Sequence, residues 1–158
     1  INTITGIKGL ARTSKTPGRT QMINYFELKS GRHLVDLPGY GYAKVPMSVK
    51  ERWQQVINGY LQSRKALKGL VLMMDVRHPL KELDQQMLSW AISCRLKVHI
   101  LLTKADKLKR GPAINVLQQV EESIAEYRDL VSVSLFSSLS RTGISDIHQK
   151  LDQWMESK

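Results

Sequence analysis

The sequence has few of the features that mark secreted, membrane-spanning or disulfide-bonded proteins. Its single cysteine, Cys94, excludes an intrachain disulfide and has no cysteine or histidine near it at metal-ligand spacing. The longest apolar runs, near residues 70–74 and 98–102, are far shorter than the about 20 residues of a membrane span, and residues 1–10 show no signal-peptide pattern. We therefore expect a cytoplasmic protein without a membrane partner, with Cys94 packed in its core.

Acidic residues are also scarce, because 14 Asp and Glu face 24 Lys and Arg, for a net charge of +10. The basic residues are dense before Asp36, where only Glu27 opposes Lys8, Arg12, Lys15, Arg19, Lys29 and Arg32. This distribution favours contact with a polyanion such as nucleic acid, although a solvated surface that keeps the protein soluble would have the same composition.

Short apolar segments alternate with longer amphipathic ones along the chain. Strands are predicted at 22–28, 33–37, 70–76, 97–102 and 131–136, and helices at 47–65, 80–94, 113–127 and 144–156. The first two strands, joined by Ser30-Gly31, should form an antiparallel hairpin at one edge of the sheet. The pattern predicts one α/β domain over 1–158, with three layers and a doubly wound, mostly parallel sheet that has one antiparallel edge strand. Ligands bind such sheets beyond the carboxyl ends of the strands, so the functional loops should follow Asp36, Asp75, Leu102 and Phe136.

The string Asp36-Leu37-Pro38-Gly39 ends the second predicted strand. A carboxylate at a strand end can hold Mg²⁺ through its water shell, and the glycine lets a backbone N–H approach a terminal phosphate. Asp and Gly also dominate ordinary turns, so a simple turn is the alternative.

Two later strand ends carry residues that suit a purine base. In Thr103-Lys104-Ala105-Asp106 the carboxylate can accept two parallel hydrogen bonds from guanine, and the lysine stem can pack on the ring. In Phe136-Ser137-Ser138 the backbone N–H groups could bind the guanine oxygen. The alternatives are a helix cap at Asp106 and an ordinary loop at the serines.

Before the hairpin, the segment 16–21 has neither helical nor strand periodicity. Its Thr20 hydroxyl could coordinate Mg²⁺ when a terminal phosphate is present, which would make the segment a sensor of GTP. A Thr-Pro-Gly turn that binds nothing is the alternative.

Taken together, segments 11–21, 34–43 and 75–80 resemble the EngB family of P-loop GTPases, and Thr103 is the form that this family has where most GTPases place Asn. The resemblance implies a GTP-binding protein of large-ribosomal-subunit assembly with links to cell division and septation. It also implies that Thr20 is a Mg²⁺ ligand. By the same carry-over, phosphates would be faced by Gly18, Arg19, Thr20, Gln21, Met22, Asp36, Leu37, Pro38 and Gly39, and guanine by Thr103, Lys104, Ala105, Asp106, Phe136, Ser137 and Ser138.

The sequence departs from that family pattern in one respect, because no Gly-Lys pair occurs and the P-loop Gly-x-x-x-x-Gly-Lys-Ser/Thr is therefore absent. We expect the first strand and the P-loop to precede Ile1. Tyr40 stands where Ras-like enzymes place a water-orienting Gln, so we expect slow intrinsic hydrolysis that the ribosome or a cation accelerates.

Two hypotheses follow. The first is a monomeric GTP-driven switch whose Arg12, Lys15, Arg19 and Lys44 contact ribosomal RNA on the large subunit. The second is an RNA-binding module on a decayed GTPase scaffold that needs no nucleotide. The three tryptophans, Trp53, Trp90 and Trp154, lie in helical patterns and are expected in the core rather than in base stacking.

Overall fold

The computed structural model describes residues 1–12, 23–28, 31–37, 55, 59–60 and 66–156. The chain divides into two compact units, Ile1–Leu67 and Lys68–Lys158. Of the helix predicted at 47–65, only Gln55, Gly59 and Tyr60 are described, and all three are helical. The predicted sensor segment 16–21 and Trp53 lie outside the described residues.

The first unit contains a short helix and the predicted antiparallel hairpin. Helix α1 spans Asn2–Thr5, strand β1 spans Asn24–Glu27 and strand β2 spans His33–Asp36. Asn24 pairs with Asp36, and the Leu28 N–H donates to the Arg32 carbonyl at 2.7 Å beside the turn. The hairpin is therefore confirmed, and it places Asp36 at the last position of β2. Its position at the edge of a larger sheet stays a prediction.

The second unit contains a parallel sheet of three strands. Strands β3, Leu70–Asp75, β4, Val98–Thr103, and β5, Val131–Leu135, lie in the order β3-β4-β5. The middle strand β4 is buried from Val98 to Leu102, as its mostly apolar sequence predicts for a strand covered on both faces. Asp75 is in register with Thr103, and Leu102 with Leu135, so all three strands end at one edge.

Three helices complete the second unit and confirm the α/β class. Helix α2 spans Glu82–Ser93, α3 spans Arg110–Ser123 and α4 spans Ile144–Glu156. Helix α3 begins three residues before the predicted start, because Pro112 lies in the first turn, where a backbone N–H has no helical partner to lose. Among the described helices, none has the length and apolarity to cross a bilayer.

Trp154 of α4 packs against the residue that enters β3. A Cβ added to Gly69 would lie 2.5 Å from the indole ring, so only glycine permits this approach. Trp154 is 7% exposed, which confirms its predicted place in the core, and Trp90 is half-buried. The prediction that Cys94 is buried is wrong. Cys94 is exposed because it follows the last turn of α2 and caps the helix at the surface.

One histidine lies inside the sheet. His99 on β4 is 3% exposed, and its ring nitrogens lie 2.8 Å from the Ser132 hydroxyl and 3.0 Å from the Ser134 hydroxyl on β5. Burial, and to a smaller extent the charge of Lys150, lower the pKa of His99 to about 4. The ring is therefore neutral at physiological pH and is held by two hydroxyls.

Candidate functional site

The chain turns sharply where β4 ends. Lys104 has a left-handed backbone conformation, φ 59° and ψ 34°, and a single 3₁₀ turn, Ala105–Lys107, follows it. The Thr103 hydroxyl donates to the Met74 carbonyl at 2.9 Å, and the Ala105 N–H donates to the Phe136 carbonyl at 3.1 Å. These bonds attach the turn to both neighbouring strands and place Asp106 at the sheet edge.

Ser137 brings the two predicted guanine-binding loops together. Its hydroxyl is fully buried and donates to Oδ1 of Asp106 at 2.5 Å. The Ser137 hydroxyl oxygen in turn accepts the backbone N–H groups of Leu139, at 3.2 Å, and Ser140, at 3.1 Å. One hydroxyl thus fixes both the carboxylate and the fold of the loop after β5.

The carboxylate of Asp106 is ionised and remains accessible. The Ser137 hydrogen bond lowers the pKa of Asp106, and the neighbouring Lys107 adds to this effect with its Nζ 3.7 Å from Oδ2. The side chain keeps 16% of its accessible surface. An ionised, oriented carboxylate of this kind can accept hydrogen bonds from the ring N–H and the amine of guanine.

The loop after β5 closes on a glycine. Gly143 has φ +75°, and a Cβ there would collide with the Leu135 carbonyl oxygen. The Ser137 N–H also donates to the Thr142 carbonyl at 3.1 Å, so the loop from Phe136 to Gly143 returns to its own start. The loop is held by its own hydrogen bonds before any ligand arrives.

Asp75, at the end of β3, forms an ion-pair cluster that the sequence did not single out as part of the site. Its carboxylate accepts hydrogen bonds from Arg77 Nε at 2.9 Å, Arg77 Nη2 at 2.7 Å and Lys104 Nζ at 3.0 Å. These donors, Arg77 first, hold the pKa of Asp75 well below its usual range. The sequence signals were the position of Asp75 at a strand end, where a functional loop was expected, and its place in segment 75–80, which resembles the EngB family.

The phosphate-side predictions are described only in part. Asp36 is half-buried at the end of β2, and burial raises the pKa of its carboxyl. Leu37 and Arg12 are described, and Arg12 is exposed. Outside the described residues lie Gly18, Arg19, Thr20, Gln21, Met22, Pro38, Gly39, Tyr40, Lys15 and Lys44. Within the described ranges, no group of three or more His, Cys, Asp or Glu side chains is arranged to hold a metal.

A shallow cleft of about 430 Å³ opens beside Asp106. It is bordered by residues of the turn, of α3 and of the loop after β5, including Leu108, Ile114 and Ser140. Its volume lies within the range of small-ligand pockets. The described residues therefore bring Asp106 and Ser137 together at one sheet edge. That this edge binds guanine, and that Asp36 lies beside it, stay predictions.

Comparison with known proteins gives consistent results. A family model described as "50S ribosome-binding GTPase" matches residues 1–104. The "Probable GTP-binding protein EngB" of Coxiella burnetii (strain RSA 331 / Henzerling II) is 53% identical over 158 residues, which cover 100% of this chain and 77% of that protein. The protein of the same name in Idiomarina loihiensis is 53% identical over 154 residues, 98% of this chain and 75% of its own length.

Solved structures with the same fold include two GTPases. A crystal structure of a probable GTP-binding protein engB superposes with a TM-score of 0.78 at 20% identity, covering 99% of this chain and 91% of that one. Era, in complex with MgGDPNP and nucleotides 1506-1542 of 16S ribosomal RNA, superposes with a TM-score of 0.71 at 18% identity, covering 97% of this chain and 50% of Era. At these identities the superpositions establish the P-loop GTPase-like fold.

Proposed function

The chain belongs to the EngB family of GTP-binding proteins, and we propose that it is a slow GTPase switch acting in assembly of the large ribosomal subunit. We extend the proposal to a linked role in cell division and septation and to a cytoplasmic monomer, as the family resemblance implies. The observation that carries it is the Ser137–Asp106 hydrogen bond, which orients an ionised carboxylate at the edge where three parallel strands end.

In this proposal Asp106 reads the guanine edge and Lys104 packs its alkyl stem on the ring. The buried Ser137 hydroxyl occupies one lone pair of Oδ1 and leaves the remaining lone pairs of the carboxylate for the base. Adenine does not present two adjacent donors at the same edge, so it is rejected because Asp106 would stay unpaired.

We assign the phosphate side to Asp36 and Thr20, with segment 18–22 and residues 36–39 around the phosphates. Asp36 suits a hydrated Mg²⁺ ion because its half-buried carboxylate is an anion that a nearby cation would stabilise. When bound, Mg²⁺ neutralises charge on the phosphates of the nucleotide. Tyr40 cannot orient water as an amide does, so hydrolysis should be slow until the ribosome or a cation assists.

The guanine assignment is tested by replacing the Asp106 carboxylate with an amide, which removes the charge and turns one hydrogen-bond acceptor into a donor. Asp106→Asn should weaken GDP binding about a thousandfold, because two hydrogen bonds to a charged group are lost, and should improve binding of xanthosine diphosphate. Calorimetry on the full encoded protein measures both affinities. Asp152→Asn, which removes an exposed charge on α4, is the matched control and should bind GDP as wild type does. A GDP affinity for Asp106→Asn within threefold of wild type would contradict the assignment.

The second candidate function is a nucleotide-independent RNA-binding module, which the net charge of +10 favours. The two candidates differ in nucleotide preference. A GTP switch binds GDP far more tightly than ADP, whereas an RNA-binding module on a decayed scaffold binds neither and still associates with ribosomal particles. Measuring GDP and ADP affinity alongside sedimentation with large subunits separates them.

A further inference from the structure

The ion-pair cluster at the ends of β3 and β4 is one of several links between these strand ends. These strand ends are already tied together by the Val76 N–H, which donates to the Thr103 carbonyl at 3.0 Å, and by the Thr103 hydroxyl bond to Met74. Lys104 and Arg77 side chains are 57% and 43% exposed, and exposed ion pairs contribute little to stability. Asp75 also accepts the Arg77 backbone N–H on Oδ1 at 3.0 Å, a bond that the amide oxygen of Asp75→Asn can keep, so the ion pair with Lys104 can be tested separately from it.

Asp75 restricts the side chain that follows the end of β4. A free lysine samples many rotamers, and fixing one costs up to about 2 kcal/mol of conformational entropy. In the structure, the Lys104 ammonium already lies 3.0 Å from Oδ2 of Asp75, while the left-handed backbone at Lys104 sets the direction in which its stem leaves the chain. The stem is therefore held between two fixed ends before a ligand binds.

We propose that Asp75 is a positioning residue of the guanine site, holding the Lys104 ammonium so that the lysine stem is preorganised against the base. The inference rests on the proposed function, since it presupposes that Lys104 packs on guanine. Preorganisation raises affinity by removing an ordering cost that the free protein would otherwise bear on binding. Asp75 is 19% exposed on its side chain and acts through Lys104 rather than by touching the nucleotide.

Long-range electrostatics and positioning predict opposite changes in GDP affinity when the Asp75 carboxylate is lost. Removing a negative charge near the binding site of an anionic nucleotide should strengthen binding by simple Coulomb attraction. Positioning predicts that Asp75→Asn weakens GDP binding, by about tenfold, despite that change in charge. The direction of the effect therefore distinguishes the two explanations.

A double-mutant cycle tests whether the effect passes through Lys104. Lys104→Met keeps most of the stem but removes the ammonium, and it should also cost about tenfold. The double variant Asp75→Asn with Lys104→Met should bind GDP no more weakly than Lys104→Met alone. Asp129→Asn, another exposed carboxylate of the second unit, is the control for loss of one negative charge. Circular dichroism shows that each variant is folded.

Comparing GDP with inosine diphosphate separates the positioning of Lys104 from a distortion of Asp106. Inosine diphosphate lacks the exocyclic amine that Asp106 reads but keeps the ring on which Lys104 packs, so Asp75→Asn should weaken GDP and inosine diphosphate by the same factor. A change in their ratio would mean that Asp75 supports Asp106 instead, and would overturn the proposal.

The remaining outcomes are equally decisive when measured by calorimetry on the full encoded protein. Unchanged or tighter GDP binding by Asp75→Asn, or losses that multiply to about a hundredfold in the double variant, would overturn the positioning role while leaving the proposed function intact. An equal loss in Arg77→Met would assign the effect to the loop after β3 and would also overturn it. If the wild-type protein showed no preference for GDP over ADP, the proposed function would fail and this inference with it.

Discussion

The two compact units differ in their charge balance and in the direction of their carboxyl pKa shifts. Residues 1–67 carry eleven Lys and Arg against three Asp and Glu, whereas residues 68–158 carry thirteen against eleven. In the first unit burial raises the pKa of Asp36, while in the second, hydrogen-bond donors lower the pKa values of Asp75 and Asp106. In the second unit, donors stabilise the charged form of Asp75 and Asp106, and we propose that this unit recognises the neutral base. The first has an excess of positive charge and a half-buried anion, which suits phosphate, a cation and RNA.

The strongest test of this division is to remove the Asp36 charge. Asp36→Asn should slow GTP hydrolysis about a hundredfold, because electrostatic stabilisation of the transferring phosphate depends on the cation it helps to hold. The preference for GDP over ADP should change less than threefold, since we propose that the second unit recognises the base. Phosphate release and calorimetry measure the two quantities.

Glu27→Gln on the neighbouring strand is the matched control for Asp36→Asn, because it removes an exposed carboxylate from the same hairpin. It should hydrolyse GTP at the wild-type rate. If Asp36→Asn abolished guanine preference and left hydrolysis intact, the division of labour between the units would be reversed.

The next effect concerns the internal bond that orients the base-reading carboxylate. Ser137→Ala removes the hydroxyl that donates to Asp106 and accepts two loop N–H groups, so GDP affinity should fall about tenfold or more. The pKa of Asp106 should rise toward its ordinary value, because the largest cause of its lowering is lost. Ser123→Ala, at the end of α3, is the control and should bind normally. Wild-type affinity in Ser137→Ala would show that the loops orient Asp106 without this hydroxyl.

A third test concerns the pH dependence of stability that the buried, neutral His99 gives to the second unit. The pKa of His99 is about 4 in the folded state and about 6.5 in the unfolded chain, so the unfolded state binds more protons between these values. Its stabilising effect is complete above about pH 6.5 and is lost as pH falls toward 4, by about 2 kcal/mol between pH 8 and pH 5.

Denaturant titrations of wild type and His99→Gln at several pH values measure this contribution as a difference in the free energy of unfolding. The difference cancels the contributions of other groups, such as Asp36, whose pKa shifts the other way. The variant should lose the acid dependence, whereas His78→Gln, at an exposed histidine, should keep it. Parallel pH profiles for wild type and His99→Gln would exclude His99 as the source.

The smallest expected effect belongs to the basic residues of the first unit. Replacing Arg12, Lys15, Arg19 or Lys44 by Gln should weaken binding to large subunits a few fold and reduce the salt dependence by roughly one unit of slope each. Lys109→Gln, at an exposed lysine of the second unit, should leave the slope unchanged. If all five variants showed the same salt dependence of binding to large subunits, the proposal that RNA contacts lie in the first unit would be contradicted.

Elements with a strong periodicity were predictable from sequence, whereas the contacts inside the site were only partly so. The apolar run of β4 and the spacing of α4 identify both elements because burial alone decides them. Strand order also implies that Asp106 and Ser137 lie near each other. Their 2.5 Å hydrogen bond follows a left-handed turn at Lys104. This turn could not be predicted, because lysine seldom adopts a left-handed conformation. Cys94 was misjudged because composition indicates burial on average and not at the exposed end of a helix.

The contact between Gly69 and Trp154 has a consequence for how the protein is made. Gly69, the residue before β3, meets the indole of α4, so this contact cannot form until α4 has been synthesised. At ordinary rates of protein synthesis, the intervening chain takes on the order of ten seconds to appear. During that interval the apolar strands stay open to other chains, and a nascent polypeptide with this topology should depend on chaperone protection.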